Sequence, residues 1–210
     1  MEHKALSVIR KTGKEEIVLS TGEKIATLDD FWSWAYSDLL QNAERGVLAE
    51  FLVAKALGIE NHERISWDKY DLKSDEGISI EIKSSGYFQT WKQDKASNIV
   101  FGIQPTRGWD NITNTHDTVI KRQSDIYVFC VHNFGNEEDE KGGFKWNAKD
   151  ANPLDLSQWD FYLLPTAILD EKVGRQKTIT LKRLQNIGAQ RCPYENLHEQ
   201  IVELILGGKT

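Results

Sequence analysis

Two acids and an amine fall close together in one short run of the chain, Tyr70-Asp71-Leu72-Lys73-Ser74-Asp75-Glu76-Gly77-Ile78-Ser79-Ile80-Glu81-Ile82-Lys83. Asp75-Glu76-Gly77 suits a three-residue hairpin loop with glycine at its left-handed last position. That turn sets Asp71 opposite Glu81, Tyr70 opposite Ile82 and Leu72 opposite Ile80. Tyr70, Leu72, Ile78, Ile80 and Ile82 then share one face. Lys69, Asp71, Lys73, Ser79, Glu81 and Lys83 share the other. A two-residue loop would pair Asp71 with Ile80 and mix the faces, so the apolar pattern selects the first register. Like charges about 5 Å apart across a hairpin repel, and the pair calls for a compensating cation. Carboxylate oxygens of this kind suit a hard divalent ion such as Mg²⁺. Lys83 is two residues on from Glu81 and points to the same side. It could orient or deprotonate a water there, or neutralise a phosphate. A solvated face of Lys–Glu ladders would read the same way from the hairpin alone.

Glu50 lies upstream in a helical pattern, AERGVLAEFLVAKAL. Val47, Val53, Ala54 and Leu57 surround it at helical spacing, and Leu48, Phe51 and Leu52 make the other side apolar too. A glutamate in such a setting is rarely buried without a partner. A cation, a water held by it, or Lys83 would supply one; a helix edge from which Glu50 reaches solvent is the plainer alternative.

These residues need elements to hold them. Residues 16–28 read as a hairpin turning at Thr21-Gly22. Thr27 with Asp30 forms a capping box that starts a helix through Asp29 to Leu40. Asn42 caps the helix that carries Glu50, and Gly58 stops it. After the central hairpin, residues 84–98 read as a loop or short helix, and Asn98–Gln104 as a strand. Residues 105–123 form a polar segment longer than an ordinary connection. Asp125–Asn133 is apolar on both faces and predicts a central strand. Residues 133–152 are acidic and glycine-rich, an exposed excursion. Strands over Gln158–Pro165 and Lys177–Leu181 follow, with helices over Pro165–Lys172, Leu181–Gly188 and Tyr194–Leu206. With no internal repeat and no clear linker, the reading is a single domain over residues 1–210. Its class is α/β, a mixed central β-sheet flanked by helices.

Composition narrows the functions. The chain has 210 residues and a formal net charge of −6, so binding to nucleic acid would need a local basic cleft or a bound metal. Its two cysteines, Cys130 and Cys192, give no zinc spacing and no disulfide framework, and Cys130 reads as a core thiol. The histidines His3, His62, His116, His132 and His198 have no metal-ligand spacing. There is no phosphate-binding GxxxxGK[ST] loop and no nucleophile elbow. No membrane span or leader pattern is visible, so the expected location is the cytoplasm.

Taken together, an inward glutamate on a helix, then a strand with Asp71, a tight turn, and a strand reading Glu81-Ile82-Lys83 resemble the PD-(D/E)XK nuclease superfamily, the restriction-endonuclease-like fold. Tyr70 stands where the superfamily's name has proline, a position that varies. The resemblance covers residues 42–132 as a common nuclease core. The N-terminal hairpin and helix and the C-terminal strands and helices would then be decoration. It implies a metal-dependent endonuclease that hydrolyses phosphodiester bonds of DNA, by default double-stranded, in restriction, defence or repair. Asp71, Glu81 and the backbone carbonyl of Ile82 would hold Mg²⁺ or Mn²⁺, with Lys83 and Glu50 completing the catalytic set. Gln89, Trp91 and Lys92, just past the Glu-x-Lys strand, and Arg122, beside Lys121 before the central strand, are candidate substrate contacts. Trp91 packing under its own loop and a merely solvated Arg122 are the alternatives. Residues Thr106–Trp109 suggest a loop over the site. Cutting both strands would suit a homodimer. A non-catalytic nucleic-acid-binding subunit with the same fold is the competing reading, and a structural protein with a charged hairpin face a third.

Overall fold

The computed structural model describes residues 8–61, 64, 69–110, 114–135, 137 and 147–207. Strands β1 (Glu16–Val18) and β2 (Lys24–Thr27) form the first hairpin, and helix α1 (Leu28–Tyr36) follows behind the Thr27–Asp30 capping box. Helix α2 (Asn42–Ala56) starts one residue earlier than its sequence suggests. The Gln41 side chain caps it by accepting from the Ala43 amide, while Asn42 turns its side-chain oxygen to the Arg45 guanidinium.

Next come β3 (Leu72–Lys73), β4 (Ser79–Gly86), β5 (Val100–Gly102), β6 (Thr106–Asp110), β7 (Thr115–Lys121), β8 (Ile126–His132), β9 (Trp159–Pro165), α3 (Thr166–Val173), β10 (Thr178–Thr180), α4 (Leu181–Asn186), β11 (Gln190–Cys192) and α5 (Leu197–Leu206). The central sheet runs β11-β9-β8-β4-β3. It is mixed: β4 and β8 are parallel over seven pairs, from Ile80–Ile126 to Gly86–His132, and the other neighbours are antiparallel. The α/β class with a mixed sheet between helices is as the sequence predicts.

Every residue of β8 is buried, because both sheet faces are covered. On one face Ile80, Ile82, Ile126, Val128 and Cys130 pack under Ala49 and Val53 of α2, Leu57 just past its end, and Leu197 and Ile201 of α5. On the other, Tyr127, Phe129, Tyr162 and Leu164 pack under the β5–β10 ribbon, α3 and α4, through Phe101, Ile179, Leu169 and Leu184. The alternation along β4 therefore assigns Ile80 and Ile82 to the α2 side and Glu81 and Lys83 to the opposite side.

Several features depart from the sequence reading. Helix α1 ends at Tyr36, short of Leu40. The polar segment after residue 104 is a further antiparallel hairpin, β6–β7, and not a loop. Strand β11 has no counterpart in the prediction. Tyr70 is half-buried and lines a cleft beside Asp71, where alternation had put it in the core. His3 and His62 lie outside the described residues, as do residues 136 and 138–146 of the excursion; of its described part, Gly135 is buried against Phe88.

Candidate active site

The hairpin has the register its loop dictates, with Leu72 opposite Ile80 and Lys73 opposite Ser79. Gly77 takes a φ of 86°, which a side chain would strain. One step further, the Asp71 amide donates to the Ile80 carbonyl at 3.1 Å. Its carboxylate folds onto the neighbouring strand, where Oδ2 accepts the Ile82 amide at 2.7 Å. Asp71, Glu81 and Lys83 line one cleft of about 570 Å³. Tyr70, Tyr127, Gln104 and Thr178 line it too, with Lys69 and Lys177 as further cations.

Within the cleft the charges are tightly drawn. Lys83 Nζ meets Glu81 Oε1 at 2.5 Å, and the buried Ser124 hydroxyl donates to Glu81 Oε2 at 3.3 Å. Asp71 has an amide but no cation in direct contact among the described residues. Burial and the nearby Glu81 carboxylate push its carboxyl well above the ordinary range, to about 7. The Ile82 amide and Lys83 pull it back in part, and Glu50 adds to the rise. Two acids are thus held together with less positive charge than they need. Their hard oxygen donors fit a divalent cation.

Glu50 is half-buried on α2, and its partner is Arg64. Arg64 Nε meets Oε2 at 2.5 Å and Nη2 meets Oε1 at 3.0 Å, a two-pronged ion pair. That pairing holds the Arg64 guanidinium above its usual value, and the Asp71 charge contributes in the same direction. Among the described residues no three His, Cys, Asp or Glu side chains gather closely enough to form a ready metal cage. The acidic pair, rather than a triad, is the nucleus of the site.

The other predicted residues lie elsewhere. Gln89 is buried beyond Gly86, where it accepts from Arg45 Nη1 at 3.5 Å and donates to the Gly86 carbonyl at 3.3 Å. It supports the start of α2. Trp91 is 55% exposed rather than packed under its loop, and Lys92 is exposed; neither they nor Gln89 line the cleft. The end of β4 that carries them is remote from the end that carries Glu81.

Arg122 does border the cleft, but its role as an exposed phosphate contact is corrected. Its side chain is fully buried, with donors committed to the carbonyls of Ile103, Gly174 and Gln176 and to the Asp170 carboxylate. It ties the β5–β10 ribbon and α3 to the sheet. Thr106 lines the cleft as part of β6, and Lys69 Nζ reaches Asp117 of β7 at 3.3 Å, so the β6–β7 hairpin stands beside the site.

Sequence reasoning missed Arg64 and Ser124. The signal for Ser124 is its position two residues before β8, whose Tyr127 is level with Glu81 in the parallel register. No local pattern marks Arg64.

An α/β chain with two acids and a lysine in one cleft has the furnishings of a hydrolase. The sequence model of the family described as Bacteriophage T4 endonuclease IV matches residues 19–182. The chain belongs to that family, a family of nucleases, and the match takes in both walls of the cleft. A search among curated proteins finds no match. Among the described residues, no helix is long and apolar enough to cross a membrane.

Proposed function

We propose that this chain is a metal-dependent endonuclease of the PD-(D/E)XK type, hydrolysing phosphodiester bonds of DNA. The observation that carries the reading is the Asp71–Glu81 pair in one cleft, with Asp71 raised by burial and then by its acidic neighbour, and Lys83 against Glu81. Asp71, Glu81 and the Ile82 carbonyl would hold Mg²⁺ or Mn²⁺, which when bound polarises a phosphate and acidifies water. The helix, strand, turn, strand order of α2, β3 and β4, followed by β8 parallel to β4, agrees with the restriction-endonuclease-like core over residues 42–132.

Each side chain then has a task. Lys83 neutralises Glu81 in the metal-free protein. With a cation on the acids, its ammonium would orient the attacking water and donate to a phosphate oxygen as negative charge builds up there. Ser124 would keep Glu81 facing the cleft. Lys69 and Lys177 give the cleft the positive field that a chain of net charge −6 lacks overall. Glu50 adjusts the charge beside Asp71.

Purified protein with Mg²⁺ or Mn²⁺ should nick or cut plasmid DNA, and chelation should stop it. Asp71→Ala and Lys83→Ala should each abolish cutting. Cutting that survives both changes would refute the assignment. Binding of DNA without any cutting would favour the non-catalytic subunit.

A further inference from the structure

The Glu50–Arg64 pair suggests a use for a residue outside the motif. We propose that Arg64 is a substrate-positioning residue. Its guanidinium is stored on Glu50 and passes to a phosphate oxygen of the substrate when a divalent cation draws on Glu50. This inference rests on the nuclease reading above.

Three observations carry it. The first is geometry: Arg64 grips Glu50 through Nε and Nη2 together, and the same planar fork fits a phosphate equally well. The second is exposure. The Arg64 side chain is 45% exposed while that of Glu50 is 16% exposed, so the guanidinium stands on the solvent side of the pair, where a polyanion arrives. The third is charge. The charges of Glu50 and Arg64 both act on Asp71, which puts the pair beside the acids. Glu50, Asp71 and Glu81 bring three negative charges against the two positive charges of Arg64 and Lys83. With a divalent cation and one phosphodiester anion added, the set is neutral. Removing Arg64 takes one positive charge from that set, leaving the phosphate to Lys83, Lys69 and Lys177.

Arg64→Gln and Arg64→Lys test the idea in the full-length protein. Titration calorimetry with Mn²⁺ alone should give several-fold tighter cation binding by Arg64→Gln, because Glu50 is released. Binding of a labelled DNA duplex should be followed with Mg²⁺ in the uncleaving Lys83→Met background. There Arg64→Gln should weaken binding about ten- to a hundredfold, the loss of one charge-assisted contact. The slope of log affinity against log salt should fall by about 0.9, the signature of one lost phosphate contact. Arg64→Lys should restore the slope and part of the affinity. Unchanged DNA affinity and slope in Arg64→Gln would overturn the proposal. Weaker Mn²⁺ binding would also overturn it, making Arg64 a prop for Glu50. If those results come with cutting that Asp71→Ala abolishes, only the Arg64 role fails. Cutting that survives Asp71→Ala removes the nuclease reading and this inference together.

Discussion

Replacing Asp71 with asparagine should stabilise the metal-free protein while destroying its activity. Asp71 has an ordinary pKa of 3.8 and is raised to about 7 in the fold. The folded state therefore holds a proton that the unfolded chain releases, and stability falls as pH rises between those values. At about 1.4 kcal/mol for each tenfold change in proton affinity, the full penalty above pH 7 is about 4 kcal/mol. Water entry and movement of Lys83 would relieve part of it, leaving about 2 kcal/mol. For a chain of this size that is a gain of about 4–8 °C in melting temperature. Asparagine keeps an oxygen for the Ile82 amide, so the hairpin contact survives. The assay is thermal unfolding in a chelator from pH 4 to 8.5, wild type against Asp71→Asn. The variant's advantage should be absent near pH 4 and complete by pH 8. Saturating Mg²⁺ should reverse the order, since a cation at a hundred times its dissociation constant adds about 2.7 kcal/mol to the wild type alone. An advantage equal at both ends of the pH range, or a variant less stable at pH 8, would refute the charge argument.

Lys83→Gln should lose plasmid cutting by at least about a hundredfold and also lower the metal-free melting temperature by several degrees, because the Glu81 carboxylate, only 20% exposed, loses its cation at a cost of about 1–3 kcal/mol; a cleavage assay beside a melt checks both. Arg122→Ala should cost about 2–4 kcal/mol in denaturant unfolding, because the carbonyls of Ile103, Gly174 and Gln176 lose a buried donor. His132 is fully buried, its ring edge-on to Trp159. Burial, with the Arg45 charge adding to it, holds its pKa down to about 4. The unfolded chain therefore takes up the proton first, and stability should fall as pH drops from about 6.5 towards 4. His132→Leu should flatten that limb of the stability curve measured by urea unfolding.

Much of this site was legible because a turn and an alternation agree. Gly77 fixes the loop, and the isoleucines at 78, 80 and 82 fix which face is buried, so the opposite face of Asp71, Glu81 and Lys83 follows by arithmetic. β8 was legible for a related reason, since a run apolar at every position has only a two-sided core to occupy. The β6–β7 hairpin was not, because neither of its faces enters the core. Val119 and Ile120 are both more than half exposed, which leaves no period-two contrast to read. β11 is three residues at a sheet edge and carries too little pattern. The arginines expose the other limit. Arg122 finds its partners 19 to 54 residues away, and Arg64 finds Glu50 fourteen residues back across a turn of chain. Sequence periodicity reports which side of an element is buried; it carries no information about which distant group meets a long polar side chain.

The division of labour within β4 explains why the site can be rigid although its charges are mutually unfavourable. Holding Asp71 beside Glu81 without a cation is costly, and a loosely held hairpin would relax by slipping or splaying. Slipping by one residue would turn Ile80 and Ile82 out of the α2 face and bury Glu81 and Lys83 in their place. The seven-residue parallel pairing with β8 prevents splaying on one side, and the Asp71 carboxylate, bonded to the Ile82 amide, fastens the other. The apolar residues of the strand thus supply the free energy that keeps its polar residues strained. That strain is what a divalent cation would relieve on binding. It follows that substitutions weakening the packing of Ile80 or Ile82 against α2 should loosen cation binding even though every ligand atom, the Ile82 carbonyl included, stays in the chain. Ile82→Ala, which leaves every carboxylate in the chain, should both lower stability by about 2–4 kcal/mol and weaken Mn²⁺ binding in calorimetry. Normal Mn²⁺ affinity in a folded Ile82→Ala protein would show that the acids need no such scaffold.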